Sequence, residues 1–306
     1  MVRTVPGAAA VSGGYVWSLM SHEPARSVTP RIMGVVNASV DSLTGGVDAA
    51  GAKELASEMV SGGASVLDCG GQSLRTDVRE ISVAEELERV LPVIEAVHAS
   101  CPGAAISIDT YRAEVAVAAI AAGASIVNDP SGLTDPDLPE VVAEHGVDVV
   151  VAYSRATPKV RMTRDKLVGN PMADGIAFLR DRLARLRAAG VDQKRVILDP
   201  GPDLGKSPEQ TIAVLRGASR LRSALGVDRV LWAVSRKDFI GALVERMPSG
   251  RDPGTFGALS AIEIRPGDIV RVHDVAGVAD FFKVRSALID GYVGTLDLPE
   301  KFRYDP

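Results

Sequence analysis

Residues 231–241 read Leu-Trp-Ala-Val-Ser-Arg-Lys-Asp-Phe-Ile-Gly, an apolar run that stops abruptly at polar side chains. A segment compatible with a helix follows directly. This pattern is typical of a buried parallel strand that delivers polar side chains to the rim of a sheet. A hydroxyl and two cations at such a rim suit an anionic ligand, and here they are Ser235, Arg236 and Lys237.

The same pattern recurs along the chain. Seven other apolar runs of strand length end in polar residues, and helix-like segments separate them. The predicted strands cover residues 32–37, 65–69, 105–109, 125–128, 147–151, 195–199, 231–234 and 268–272. Eight strands that alternate with helices predict an α/β fold, a single (β/α)8 TIM barrel. A doubly wound open sheet is disfavoured because no G-x-G-x-x-G motif follows the first strand.

The composition, with 46% hydrophobic and 24% charged residues, is that of a globular protein with a sizeable core. The barrel is predicted over residues 31–295, after an irregular arm at residues 1–30 and before a tail at residues 296–306. The arm lacks a convincing signal-peptide cleavage pattern. No stretch of about 20 apolar residues predicts a membrane span. We therefore expect a cytoplasmic protein with no membrane partner.

The charge and the cysteines exclude further classes. A net charge of −5 without a basic patch argues against a nucleic-acid partner. Two cysteines, Cys69 and Cys101, are too few for a disulfide framework or a cysteine-rich zinc site. No nucleophile elbow, H-E-x-x-H motif or P-loop is present, so hydrolase and kinase functions lack their residues.

In a TIM barrel, chemistry sits at the carboxyl ends of the strands. A first polar group at these ends consists of Asp109, Asn128 and Asp199, with Lys237. A planar heterocycle with adjacent N–H groups would match such carboxylates bidentately. Each residue alone could instead cap a helix. Three of them at the ends of separate strands favour ligand recognition.

A second polar group consists of Asn37, Arg75, Arg271 and His273. Arg271 and His273 alternate along one strand end and therefore face the same side. With Arg75 they would form a pocket for phosphate or pyrophosphate. Alternatively, Arg271 forms an ion pair at the barrel rim and His273 caps the following helix. Asn37 could donate an oxygen to a Mg²⁺ ion that also binds the phosphates.

Seven collinear segments between about residue 31 and residue 290 carry a family resemblance. They are Met33-Gly34-Val35-Val36-Asn37 and residues 68–73, 107–111, 126–129, 199–206, 234–237 and 271–274. Together they resemble dihydropteroate synthase. The resemblance implies a TIM-barrel transferase of folate biosynthesis. Such an enzyme joins 6-hydroxymethyl-7,8-dihydropterin pyrophosphate to p-aminobenzoate and releases pyrophosphate.

The resemblance also implies residue roles. The pterin would be held by Asp109, Asn128, Asp199 and Lys237. The pyrophosphate and its Mg²⁺ would be held by Asn37, Arg75, Arg271 and His273, with Asn37 on the metal. The amine side would comprise Ser235, Leu74 and Leu204, and Ser235 would help to hold the p-aminobenzoate carboxylate. The implied catalytic residues are Arg75, Lys237, Arg271 and His273.

The reaction implied is a dissociative substitution. Pyrophosphate leaves first, a pterin methylene cation forms, and the arylamine attacks it. The protein then has to stabilise departing negative charge and to position a nucleophile. No strong protein base is required.

Departures from the family pattern concentrate on the amine side. The usual Thr-Pro-Asp-Ser-Phe, Ser-Thr-Arg-Pro-Gly and Phe-Gly-Lys motifs stand here as residues 39–43, 73–77 and 204–206. Leu74 stands where the family has a threonine, so a hydroxyl donor is lost. Asp77 stands where the family has a glycine, and it adds negative charge near the expected position of the p-aminobenzoate carboxylate unless its side chain points to solvent. Residues 152–154 are Ala-Tyr-Ser where the family usually has Met-His-Met, and the resemblance places them beside the pterin. Sulfonamide resistance or another arylamine would follow from such changes.

Two other functions stay open at this point. A pterin-dependent methyltransferase would share the heterocycle site, but it would not need the residues for a leaving pyrophosphate. A catalytically silent pterin-binding paralogue is favoured by Leu74 and Asp77 and disfavoured by the charged rim. The resemblance also suggests a homodimer that forms through the late helices.

Overall fold

Eight parallel strands form the centre of the part of the chain that the structure describes. The structure is a computed structural model, and it describes residues 27–38, 46–74, 76–160, 162–163 and 167–303. The strands are β1 (Arg31–Asn37), β2 (Val66–Gly70), β3 (Ala105–Asp109), β4 (Ile126–Asp129), β5 (Asp148–Ala152), β6 (Val196–Asp199), β7 (Leu231–Trp232) and β8 (Ile269–Val272). They lie within one or two residues of their predicted positions, except that β7 is shorter.

Strand pairing closes the sheet on itself. The hydrogen-bonded order is β6-β5-β4-β3-β2-β1-β8-β7. A single parallel bridge between Leu198 and Val230 joins β6 to the residue before β7. The amide of Leu198 also donates to the carbonyl of Arg229 at 3.0 Å. These contacts confirm the predicted (β/α)8 barrel.

Helices connect the strands on the outside of the barrel. They are α1 (Ala49–Ser61), α2 (Val83–Ser100), α3 (Ala113–Ala121), α4 (Leu138–His145), α5 (Pro171–Ala188), α6 (Pro208–Arg216), α7 (Ala218–Leu225), α8 (Asp238–Val244), α9 (Asp252–Ala261) and α10 (Val275–Asp290). Short 3₁₀ turns cover 193–195, 248–250 and 300–302. None of the described helices combines the length and the apolar composition that crossing a membrane requires.

The segment after β6 contains two helices where periodicity predicts one. Ile212, Leu215, Leu221 and Leu225 follow a helical pattern, but the chain turns at Gly217 between α6 and α7. Glycine has a low helix propensity. A Cβ atom at this position would also lie 2.4 Å from the Met172 side chain. Gly217 therefore marks the end of α6 and packs beside Met172 of α5.

Side-chain alternation divides each strand between two environments. One face packs against the helices in the main apolar core. The other face fills the barrel interior with an apolar layer of Met33, Val66, Ile126, Val150, Ile197, Leu231 and Ile269. Two residues further along these strands, the inward positions of β2, β4, β6 and β8 are Asp68, Asn128, Asp199 and Arg271. The period of two thus places a polar layer directly above an apolar floor.

A buried ion pair holds the short strand β7. The two terminal nitrogens of the Arg222 guanidinium, Nη2 and Nη1, donate to Asp268 at 2.5 and 3.0 Å. Asp268 also accepts from the Val230 amide and the Trp232 indole, each at 3.0 Å. Asp268 is fully buried and Arg222 is 2% exposed. This network anchors the strand that carries residues 235–237.

Candidate active site

The carboxyl ends of the strands surround a cavity of about 330 Å³. Its lining includes most residues that the sequence singled out, namely Asn37, Leu74, Asp109, Leu204, Ser235, Lys237, Arg271 and His273. Asn128 and Asp199 are each 5% exposed and lie in the polar layer of the barrel interior. Arg75 and the loop at residues 39–45 lie outside the described residues.

Arg271 is the centre of a charged network in the polar layer. Its Nε donates to Asp68 Oδ2 at 2.5 Å, and its Nη2 donates to Asp109 Oδ2 at 2.8 Å. The Asn128 amide donates to the same Asp68 oxygen at 3.1 Å. Arg271 thus forms the ion pair that was the alternative to a ligand-binding role. Its guanidinium also lines the cavity, so the ion pair does not exclude ligand binding. It joins the two predicted polar groups into one cluster.

Asp68 is a site residue that the sequence analysis missed. It is 1% exposed and lies in the middle of the apolar strand β2. Among the described residues, its Oδ1 atom has no hydrogen-bond partner. A charged residue inside an apolar run was the available signal, since buried carboxylates need compensating partners. Asp68 is not a polar strand end, because β2 continues to Gly70.

The network perturbs the acidity of its members. Burial, with a smaller contribution from the neighbouring Asp68, raises the pKa of Asp109 to about 7 against the opposing attraction of Arg271. Burial alone would lower the pKa of Arg271, but Asp68 and Asp109 raise it above its usual value. Arg271 therefore stays charged, whereas Asp109 can exchange a proton near neutral pH. An acid of this kind can either accept or donate a hydrogen bond at a ligand edge.

Asp199 closes the other side of the polar layer. Its Oδ1 accepts from the Gly201 amide at 2.7 Å. Burial raises the pKa of Asp199, and the charges of Lys237, Lys206 and Arg271 oppose this rise. The carboxylate is thus held by backbone on one side and by cations on the other.

Lys206 organises the loop after β6. Its ammonium donates to the carbonyls of Tyr153, Gly201 and Leu204 at 2.5, 2.8 and 3.1 Å. It also lies 3.9 Å from the centroid of the Tyr153 ring. Burial lowers its pKa to about 7. Lys206 therefore acts on the position of Leu204 and does not line the cavity itself.

His273 contacts Ser235 across the seam between β8 and the loop after β7. The His273 Nδ1 atom lies 2.9 Å from Ser235 Oγ, which also accepts from the His273 amide at 3.3 Å. Burial, followed by the charge of Arg271, lowers the pKa of His273 to about 3. The imidazole is therefore neutral at pH 7. With Ser235 as donor to Nδ1, the remaining proton lies on Nε2.

The two cations after β7 have different roles. The Nε and Nη2 atoms of Arg236 donate to the two carboxylate oxygens of Asp252, each at 2.8 Å. The charge of Arg236 is therefore already neutralised. Lys237 makes no ion pair or hydrogen bond through its ammonium with any residue in the described ranges, but Asp109, Asp199 and Asp203 attract it. Lys237 is therefore the cation that a ligand can engage directly.

Two of the three amine-side residues lie where the 330 Å³ cavity meets a smaller one. Leu74 and Leu204 also line this second cavity, of about 100 Å³, together with Ser131 and Ser154. Asp77, which the sequence placed near the carboxylate of p-aminobenzoate, is exposed and lines neither cavity. A different acid, Asp203, lines both of them.

Comparisons with known proteins identify the family of this chain. The family described as "Pterin binding enzyme" matches residues 33–273. Dihydropteroate synthase of Bacillus subtilis (strain 168) is 38% identical over 264 residues, which is 85% of this chain and 88% of that protein. The chain belongs to the dihydropteroate synthase family. Dihydropteroate synthase of Escherichia coli (strain K12) is 32% identical over 283 residues, with 90% and 95% coverage.

Solved structures of the family agree as well. A Xanthomonas albilineans dihydropteroate synthase with 4-aminobenzoic acid superposes with a TM-score of 0.74 at 34% identity. The superposition covers 85% of this chain and 93% of that one. The same protein in complex with 7,8-dihydropteroate gives a TM-score of 0.72 at 33% identity. The resemblance stated from seven short segments is confirmed, and the protein is a transferase of the dihydropteroate synthase type.

Proposed function

We propose that the protein joins 6-hydroxymethyl-7,8-dihydropterin pyrophosphate to p-aminobenzoate or a related arylamine and releases pyrophosphate. The observation that carries this proposal is the position of Arg271. One guanidinium pairs with Asp68 and Asp109 and lines the same cavity as His273 and Lys237. A single cation thus lies between carboxylates that suit a heterocycle and groups that suit a diphosphate.

The polar layer would hold the pterin. Asp109, Asn128 and Asp199 supply carboxylate and amide groups, and Lys237 supplies a cation above them. Asp68 Oδ1 and Ser107 Oγ are buried and have no hydrogen-bond partner among the described residues. Leaving such atoms unpaired is costly, and N–H donors on a heterocycle would relieve that cost. The apolar layer beneath excludes water from the ring.

Arg271, His273 and Asn37 would hold the pyrophosphate, with Arg75 from outside the described residues. The bond between the pterin methylene carbon and the pyrophosphate oxygen breaks, and its electron pair leaves with pyrophosphate. Arg271 stabilises the departing charge as a permanent cation, and neutral His273 donates from Nε2. The amine nitrogen then bonds to the methylene carbon and loses one proton to water or to the released pyrophosphate.

A Mg²⁺ ion would fit this site only with help from the ligand. Within the described ranges, no group of three His, Cys, Asp or Glu side chains could hold a metal ion. The Asn37 oxygen and the pyrophosphate oxygens would supply the ligands, and Mg²⁺ keeps several waters in such sites. When bound, the ion would neutralise part of the leaving-group charge.

The arylamine would enter beside Leu74, Leu204 and Ser235, which line the same cavity.

A homodimer would form through α10. On this helix Phe282 is 1% exposed and packs in the core, whereas Val284 and Leu288 are 60% and 81% exposed. An apolar pair at such exposure fits a subunit contact. Sedimentation of the native protein and of Leu288→Glu tests this, and we expect the variant to be monomeric. A cytoplasmic location stays part of the same proposal.

The direct test measures pyrophosphate release from the pterin pyrophosphate with and without p-aminobenzoate. We expect release to require an amine and calorimetry to detect pterin binding. Glu263→Ala, a change at an exposed pair remote from the cavity lining, serves as the control and should leave release unchanged. Tight pterin binding without turnover on any arylamine would instead identify a silent paralogue.

A further inference from the structure

The loop between β2 and α2 forms part of the amine side of the site. Gln72, Ser73 and Leu74 line the 330 Å³ cavity, and Leu74 and Thr76 line the 100 Å³ cavity. The two ends of this loop meet at its base, where Gln72 Oε1 accepts from the Ile81 amide at 2.8 Å. The position of this base therefore sets where Leu74 lies.

Arg112 holds the base of the loop against the barrel. Its Nη2 donates to the Ile81 carbonyl at 2.7 Å and to Glu80 Oε1 at 2.9 Å. Its Nη1 donates to Glu86 Oε2 of α2 at 2.8 Å. Glu86 is 1% exposed and also accepts from the Thr110 hydroxyl at 2.8 Å. One planar guanidinium thus joins the loop, α2 and the residues that follow β3.

Tyr111 makes a second connection to the same base. Its hydroxyl accepts from Gln72 Nε2 at 2.7 Å and donates to Glu80 Oε1 at 2.7 Å. The Arg112 guanidinium lies 5.3 Å from the centroid of the Tyr111 ring, so the two side chains pack together. Burial and the bond to Glu80 raise the pKa of Tyr111 to about 12, so the hydroxyl keeps the proton that it donates.

Both residues follow closely after Asp109, the acid at the end of β3. Asp109 accepts from Arg271 at 2.8 Å. The amide of Thr110 donates to the Asn128 carbonyl at 3.1 Å, which fixes the chain between Asp109 and the two side chains. Residues 109–112 are therefore a short link whose first side chain contacts Arg271 and whose last two hold the loop that lines the amine side.

The opposite side of the loop has its own support. The Lys159 ammonium, from the loop after β5, donates to the carbonyl of Ser73 and, at 3.3 Å, to that of Val78. These bonds involve neither Gln72 nor Ile81. Loss of the contacts at the base would therefore loosen the loop without releasing it.

We propose that Tyr111 and Arg112 are positioning residues that hold the loop after β2 against the amine that enters the site. Neither side chain lines the two cavities, so each acts through the residues at the base of the loop. This inference rests on the proposed function, since it concerns the amine side of the same site.

Tyr111→Phe removes the hydroxyl contacts and keeps the ring. We expect KM for p-aminobenzoate to rise about fivefold, the order of one lost hydrogen bond, because the loop is less often closed on the amine. Both kcat at saturating amine and the calorimetric Kd of free 6-hydroxymethyl-7,8-dihydropterin should stay within about twofold of native, because the polar layer shares no contact with this hydroxyl. Tyr292→Phe, at an exposed tyrosine after α10, is the matched control and should change none of these values.

Arg112→Lys keeps a cation beside buried Glu86 but removes the planar fork. A single ammonium cannot reproduce three contacts in that geometry. We expect KM for p-aminobenzoate to rise about tenfold, more than in Tyr111→Phe, since two contacts to the loop are lost. Arg265→Lys, at an exposed pair with Glu263, is the matched control and should keep the native KM.

Hydrogen exchange followed by mass spectrometry reports on the loop without turnover. In both variants the peptide that covers residues 76–81 should exchange about fivefold faster than in the native protein. The peptide that covers β4 should keep its native rate.

A KM for p-aminobenzoate within about twofold of native in Tyr111→Phe would overturn the proposal, since a purely structural role lowers stability alone. An equal increase in the Kd of free pterin would also overturn it, because the whole site would then be disturbed. If no arylamine supports pyrophosphate release in the native protein, the proposed function fails separately. Exchange and the calorimetric Kd of p-aminobenzoate on protein loaded with pterin and pyrophosphate then decide the inference. Faster exchange with weaker binding in Tyr111→Phe supports it, and unchanged exchange, or unchanged or absent binding, rejects it.

Discussion

The Nε atom of Arg271 lies 2.5 Å from Oδ2 of Asp68, and both groups belong to the polar layer above the barrel floor. This pair links the residues proposed to hold the pterin to those proposed to hold the pyrophosphate. A cation shared in this way is oriented before any ligand arrives, because its planar fork is fixed at two points. Disturbing Asp68 is therefore expected to affect both halves of the site.

Asp68→Ala is expected to destabilise the fold and to weaken ligand binding together. It leaves Arg271 with Asp109 as its remaining partner and the Asn128 amide without an acceptor. We expect a loss of about 2–4 kcal/mol in the free energy of unfolding, slightly below the cost of breaking a buried pair completely. Urea denaturation measures the loss. An unchanged midpoint would contradict the buried network.

Arg271→Ala is expected to weaken pyrophosphate-bearing ligands far more than free pterin. The guanidinium lines the cavity and keeps its charge because Asp68 and Asp109 raise its pKa. We expect a loss of about 2–4 kcal/mol for the pyrophosphate ester, in the range of lost charge-assisted contacts. Calorimetry with both ligands gives the comparison. Equal losses for the two ligands would reject the assignment of this residue to the leaving group.

His273 gives the stability of the protein a specific pH dependence. Its pKa is about 3 when folded, whereas free histidine titrates near 6.5. The unfolded chain thus binds more protons between these values, so this residue makes the free energy of unfolding rise with pH across that window. We expect the native protein to gain about 2 kcal/mol relative to His273→Gln between about pH 4.5 and pH 7.

Guanidinium denaturation at a series of pH values measures this difference between the native protein and His273→Gln. The subtraction removes the opposite effect of Asp109, whose raised folded pKa acts in both proteins. A difference that is flat with pH would show that His273 has the same pKa in the folded and unfolded states, which would contradict a neutral buried imidazole.

The Asp268 carboxylate is expected to contribute strongly to stability without taking part in catalysis. Asp268→Ala removes the partner of buried Arg222 and the acceptor of the Trp232 indole. We expect a loss of about 3–5 kcal/mol in the free energy of unfolding. Removing an exposed pair through Glu263→Ala should change it by about 0.5 kcal/mol or less. Comparable losses in the two variants would contradict this account.

Much of the barrel could be predicted because each strand is a buried apolar run with a polar end. The limits of β3 match the predicted residues, and β1 begins only one residue earlier, at Arg31. The break at Gly217 could not be predicted from periodicity, because Ile212, Leu215, Leu221 and Leu225 keep a helical spacing across it. The short β7 depends on side chains from α7 and the start of β8.

The site could be predicted only where its residues end strands. Asn37, Asp109 and Arg271 line the cavity as expected from that rule. Asp68 was missed because it lies inside a strand, and Asp203 because loop residues follow no periodicity. The neutral state of His273 could not be predicted either, since it arises from burial and from the charge of Arg271. Local pattern fixes which side chains point inward, whereas the approach of loops depends on the folded chain.

The attachment of β7 has a consequence for substitutions in the site. A single bridge at Val230, just before the first residue of β7, pairs this strand with β6. Asp268 fixes β7 from the amino-terminal end of the barrel, which is the end opposite to the cavity. Substitutions in the mouth at residues 235–238 therefore leave the anchor intact. We therefore expect side-chain changes at this mouth to alter ligand contacts at little cost to the stability of the barrel.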